Sequence, residues 1–145
     1  MNSVNYEELK RRFNEEIHGF MSTCHLHVDE VSDEEILMHM EDVPALHNPA
    51  RVLHGGALYT LADTCAGLLC RARERTSVTL KGTMDYFRPG KGRIDARAYV
   101  LHQTKRITTL AVELTNAEGN LIAHSVNTYA VSGAPALPEI NKEEK

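Results

Sequence analysis

The sequence predicts an α+β domain in which one curved antiparallel sheet wraps a central helix. Three observations point there. The stretch from Ala57 to about Arg73 spreads Leu58, Leu61, Ala62, Cys65, Ala66, Leu68 and Leu69 round most of a helix circumference, so it must be covered on nearly all sides. Stretches of alternating apolar and polar residues flank it and read as strands. The last four strands follow one another with no helix between them, which suits antiparallel neighbours. The length of 145 residues is that of one domain. A chain of this size buries roughly 70% of its unfolded surface and needs no disulfide or metal staple.

In chain order, Tyr6 to Phe20 is expected as a helix, because Tyr6, Leu9, Phe13, Ile17 and Phe20 recur at spacings of three and four. Its other face carries Lys10, Arg11, Arg12, Glu15 and Glu16. Cys24 to Val31 and Glu34 to Val43 alternate as half-buried strands, with Ser32 and Asp33 as the turn. Pro44 to Gly56 is a loop, and the apolar helix follows. Ser77 to Phe87 alternates, with Val78, Leu80, Gly82, Met84 and Tyr86 expected on one face. Arg88 to Gly92 is a turn, and Arg93 to His102 is the next strand. Ile107 to Thr115 and Leu121 to Val131 form a hairpin about Asn116 to Asn120. Residues 1–20 are thus a helix belonging to the same domain, 21–132 the main domain, and 133–145, with Pro135, Pro138 and a charged end, a tail expected to be disordered.

Composition narrows the function. Sixteen Lys and Arg against 20 Asp and Glu give a net charge of −4, which argues against a general nucleic-acid partner. No apolar stretch approaches 18 residues, so no membrane span is expected. The N-terminus lacks an apolar signal core, and the odd set Cys24, Cys65 and Cys70 has no CxxC spacing. Both point to a cytoplasmic protein with reduced thiols. His25 and His27 share a strand face, but no Cys/His or HExxH set completes a site, so no metal is expected.

The chemistry-bearing residues cluster before and within the apolar helix. Gly55 and Gly56 precede it, so the backbone can approach a ligand with unpaired N–H groups at the positive end of the helix dipole. A carbonyl oxygen gaining charge would be stabilised there; the same pair would equally make a tight loop. Asp63 is a carboxylate on an otherwise apolar helix, costly to bury without a partner. It would equally sit on a narrow polar stripe with Thr60 or Thr64. His54 and Asn48 are polar groups on the preceding loop. Gly56 and Asp63 are seven residues apart, two turns or roughly 10 Å. A reacting group must lie within about 3–3.5 Å of its target. If both serve one carbonyl, a second copy of the helix must supply one of them. A catalytic reading therefore predicts a homodimer with two equivalent interface sites.

Asn48-Pro-Ala-Arg-Val-Leu-His54-Gly55-Gly56, the following Ala57-Leu-Tyr-Thr-Leu-Ala-Asp63-Thr64 and Asp85-Tyr86-Phe87-Arg88-Pro89-Gly90 resemble the hotdog-fold acyl-CoA thioesterases of the PaaI-like (phenylacetic acid degradation) branch. The strand order matches from about residue 20 to residue 132. The resemblance implies a hotdog fold and hydrolysis of an acyl-CoA thioester to free acid and CoA. It implies Asp63 as general base or nucleophile, and Gly56 N–H as the group that polarises the carbonyl. His54 and Asn48 would orient the acyl group or the water, with Asp and Gly coming from different subunits. It implies substrate binding by Gly55, Thr64 and Thr79, and by Lys105 and Arg106 toward CoA phosphates, although a plain solvated turn also explains that basic pair. Arg51, which is not part of the family pattern, would contact the CoA nucleotide or close the pocket. No cofactor is implied, since CoA is part of the substrate. The assembly is a homodimer, or a homotetramer built as a dimer of dimers. The chain departs from the pattern at Arg51 and Thr104, where many relatives have Gly. Two alternatives stay open: an enoyl-CoA hydratase or dehydratase of the same fold, and a non-catalytic acyl-CoA binding module.

Overall fold

The computed structural model describes residues 3–133, so the tail expected from residue 133 falls, beyond Gly133, outside the described residues. The elements run α1 (Tyr6–Glu15), α2 (Phe20–Thr23), β1 (Leu26–Val31), β2 (Glu35–Met40), a 3-10 turn (Pro44–Leu46), α3 (Gly55–Ala72), β3 (Thr76–Tyr86), β4 (Ile94–Gln103), β5 (Ile107–Thr115) and β6 (Leu121–Ser132). Six strands form one antiparallel sheet in the order β1-β2-β4-β5-β6-β3.

The alternation read from the sequence places the core. Ile36, Met38 and Met40 of β2, Ile94, Ala96 and Ala98 of β4, and Leu110, Val112 and Leu114 of β5 are buried on the face that receives α3. From α3, Leu58, Leu61, Ala62, Cys65, Ala66 and Leu69 meet them. Burying each large aliphatic side chain contributes about 1.5–3 kcal/mol, so this helix–sheet interface dominates the fold's stability.

Two expectations are corrected. α1 stops at Glu15 instead of reaching Phe20. Gly19 takes a left-handed φ of 59°, and Phe20 opens a separate one-turn helix with its ring 67% exposed. A left-handed residue cannot continue a right-handed helix. The second correction lies in β3. Thr79 pairs with Tyr129 and Lys81 with Thr128, so Leu80 is an extra residue, a β-bulge. The bulge shifts the alternation by one. Thr79 and Gly82 both face α3, while Val78 and Leu80, 65% and 58% exposed, do not share a covered face with Gly82 and Met84.

Candidate active site

One face of α3 is not closed by the core. Gly55, Tyr59, Asp63 and Gly67 recur at every fourth residue and are half-buried. This stripe lies over β3 and β6. Tyr86 of β3 donates its hydroxyl to the Gly55 carbonyl at 2.7 Å. The Tyr59 hydroxyl sits above Gly82. Asp63 meets Thr79 and Tyr129, and Gly67 lies beneath the Tyr129 ring.

Asp63 is held from one side. The Thr79 hydroxyl donates to Oδ1 at 2.9 Å. Tyr129 Oη lies 2.7 Å from Oδ1 and also 2.7 Å from the Asp63 backbone carbonyl. Burial, with the neighbouring Asp63 carboxylate, pushes the Tyr129 phenol well above its ordinary pKa, so it remains a donor. Oδ2 has no hydrogen-bond partner among the described residues. A carboxylate fixed through one oxygen keeps the other available to accept a proton. Thr64, next along the helix, is rotated by about 100° and takes no part in these bonds.

The helix start is arranged differently from the expectation. His54 is the N-cap of α3, and its Nδ1 accepts the Gly56 N–H at 2.8 Å. That N–H is therefore engaged. The Gly55 N–H, one residue earlier, has no partner among the described residues. An accepting Nδ1 is unprotonated, so the neutral ring carries its proton on Nε2.

Asn48 spends Oδ1 within its own loop, accepting from Ala50 N–H at 2.9 Å and Val52 N–H at 3.4 Å. This leaves its Nδ2 as the free donor. Arg51 stands exposed with φ 62°, the left-handed conformation that glycine adopts without cost.

Lys105 and Arg106 are exposed on the turn before β5. Arg75 pins that turn by donating to the Thr104 and Lys105 carbonyls at 3.2 and 3.4 Å, so three cations gather there. The register places them at the sheet end beside Tyr129, since Ile107 pairs with Ala130 and Thr108 with Tyr129. They stand at the Asp63 end of the stripe, away from the helix start.

The structure thus joins Asp63 with Thr79 and His54 with Gly56. It adds Tyr129, Tyr86, Tyr59 and Arg75, which sequence reasoning missed. Tyr129 reads in the sequence as one more inward residue of an alternating strand. Among the described residues no group of His, Cys, Asp and Glu side chains fits a metal ion. No helix among them is long and apolar enough to cross a membrane.

Residues 50–123 match the family model of the thioesterase superfamily. The chain belongs to that superfamily. YigI of Escherichia coli K12, a medium/long-chain acyl-CoA thioesterase, is 33% identical over 97 residues, 55% of this chain and 63% of that protein. PaaI of the same organism, an acyl-coenzyme A thioesterase, is 33% identical over 72 residues, 48% of this chain and 51% of its own length. The chain therefore spans less than two thirds of either relative. Among solved structures, that of E. coli PaaI superposes with a TM-score of 0.81 at 22% identity, covering 88% of this chain and 94% of that one. A hypothetical thioesterase with coenzyme A from Streptococcus pneumoniae TIGR4 gives 0.72 at 25% identity, over 76% and 90%. The antiparallel sheet round a central helix is the hotdog fold of this superfamily.

Proposed function

We propose that this thioesterase-superfamily chain hydrolyses an acyl-CoA thioester, with Asp63 as the group that activates water. The observation that carries the reading is the one-sided grip on the Asp63 carboxylate. Thr79 and Tyr129 bind Oδ1 and leave Oδ2 bare on a face that also presents a free backbone donor.

Oδ2 takes a proton from water as the water oxygen attacks the thioester carbon. The carbonyl oxygen, gaining negative charge, accepts from the Gly55 N–H at the positive end of α3. Gly55 takes this role instead of Gly56, whose N–H His54 already holds. The tetrahedral adduct collapses to the free acid, and the C–S bond breaks to release CoA thiolate, which is then protonated. The Asn48 amide and the His54 Nε2–H are the side-chain donors that can orient the acyl oxygen. Lys105, Arg106 and Arg75 face the CoA phosphates. The scheme consumes only water and uses groups of the chain itself.

Gly55 and Asp63 lie eight residues apart on one helix, about 12 Å, so one chain cannot bring both to a single carbonyl. A homodimer with antiparallel α3 helices does so twice. β3 supports that arrangement: it is an edge strand of 11 residues with Val78 and Leu80 exposed. Pairing of two such edges would extend the sheet and bring the two stripes together; a dimer of dimers is the larger form. The three buried free cysteines suit a reducing cytoplasm.

The test is CoA release from a panel of acyl-CoAs by the wild type and Asp63→Asn, with light scattering on both. Loss of hydrolysis in a folded, dimeric variant supports the reading. Wild-type turnover by that variant, or full activity in a monomer, overturns it. Tight acyl-CoA binding without CoA release would favour a binding module, and crotonyl-CoA hydration a hydratase.

A further inference from the structure

We infer that Tyr59, facing its own copy across the dimer two-fold, is the wall that limits the acyl pocket, so that this protein takes compact acyl groups and rejects long straight chains. The inference rests on the shared site proposed above.

Position along α3 carries it. Gly55, Tyr59 and Asp63 occupy one stripe at successive turns. A two-fold that sets residue 55 of one helix against residue 63 of the other sets residue 59 against residue 59. Each reacting carbonyl then lies about one helical turn, roughly 5.4 Å, from a pair of Tyr59 rings. Direction follows from the basic turn. Arg75, Lys105 and Arg106 gather beyond Asp63, at the end of the stripe away from Tyr59. CoA leaving toward those cations sends the acyl group the other way, toward the two-fold and the tyrosines.

The ring is seated, not loose. A Cβ at Gly82 would stand 1.8 Å from Tyr59 Oη and 2.8 Å from Cζ, so the hydroxyl fills a notch that only glycine leaves open. Behind the notch lies Asn127, wholly buried, its Oδ1 2.5 Å from that same Cβ position. Asn127 accepts the Ser125 hydroxyl at 3.2 Å, and its Nδ2 has no partner. An alkyl chain that displaced Tyr59 would therefore meet a buried amide donor, not an apolar tunnel. Burying apolar carbon against an unpaired N–H offers that donor nothing and keeps its penalty.

The experiment compares kcat/KM for CoA release across straight-chain acyl-CoAs from acetyl to decanoyl, in the wild type, Tyr59→Ala, Tyr59→Phe and Gly82→Ala. Wild type is expected to favour the short end. Tyr59→Ala should raise the decanoyl-to-butyryl ratio by about tenfold or more, while Tyr59→Phe, which keeps the ring, holds it within about twofold. Gly82→Ala, which forces the ring out of its notch, should lower hexanoyl relative to acetyl turnover. A wild-type ratio in a folded, dimeric Tyr59→Ala overturns the inference, as does wild-type turnover of decanoyl-CoA equal to butyryl-CoA. If Tyr59→Ala does not fold, Tyr59→Leu and Gly82→Ala carry the test. Should the ratio stay fixed while Asp63→Asn is inactive, only the wall is lost; if Asp63→Asn keeps full activity, the hydrolytic reading itself fails.

Discussion

At one edge of the sheet β1 is six residues long, is bulged after Val28 and lies under α1. There the Asn14 side chain donates to the Val28 carbonyl and accepts the Val28 N–H, both at 2.9 Å, as a neighbouring strand would. Phe13, 2% exposed, closes the cover. At the other edge β3 runs for 11 residues with no helix over its outer side among the described residues and with exposed Val78 and Leu80. Uncovered edges invite pairing with other chains, and proteins usually blunt them. Here one edge is blunted with a dedicated helix and the other is left open. The open edge is the one beside Asp63, Thr79 and Tyr59. The contrast teaches that the uncovered edge and the candidate site share one side of the molecule.

The largest effect should come from the open side. Asp63→Asn is expected to lower kcat/KM for CoA release by about 10²–10⁴-fold with the circular dichroism spectrum kept. Next, lysines at Val78 and Leu80 should make the edge repel its copy. Light scattering should then report a monomer, and hydrolysis should fall by on the order of 10²-fold because the site loses half its groups. An active monomer would erase the functional half of the comparison. The covered edge should respond in stability alone. Asn14→Ala leaves two backbone groups of β1 without their partner and should cost about 1–3 kcal/mol in denaturant unfolding, with the oligomeric state unmoved. The smallest change is Arg51→Gly, which relieves a left-handed residue. The strain of about 1–2 kcal/mol is partly offset by glycine's larger chain entropy, leaving a gain of about 0.5–1 kcal/mol. A loss of stability there would mean that the arginine side chain compensates its own backbone.

Much of this was legible in residues, and the illegible part has a physical pattern. Asp63 announced itself because a charge inside an apolar helix must be partnered. The strand alternation of β2 and β4 placed their core residues correctly, since period two is a local property. The bulge at Leu80 is not local: it exists only in the pairing of β3 with β6, so period two alone puts Val78 and Leu80 on the face of Gly82 and Met84, which they do not share. Tyr129 was hidden for the same reason, because its value lies in which helix residue it faces. The Gly56 N–H reads as free in the sequence, which cannot show the His54 ring folding back on it.

The bulge has one more consequence. Between Thr79 and Gly82 the strand counts three steps while its partner counts two. The hand that holds the carboxylate and the notch that seats the tyrosine are in phase only through that odd residue. Were the same residues drawn into a regular ladder with Leu80 paired, Thr79 and Gly82 would fall on opposite faces, and one of the two would turn away from α3. In this strand parity is itself a functional quantity: two residues three positions apart share a face only because the ladder leaves one residue between them without a partner.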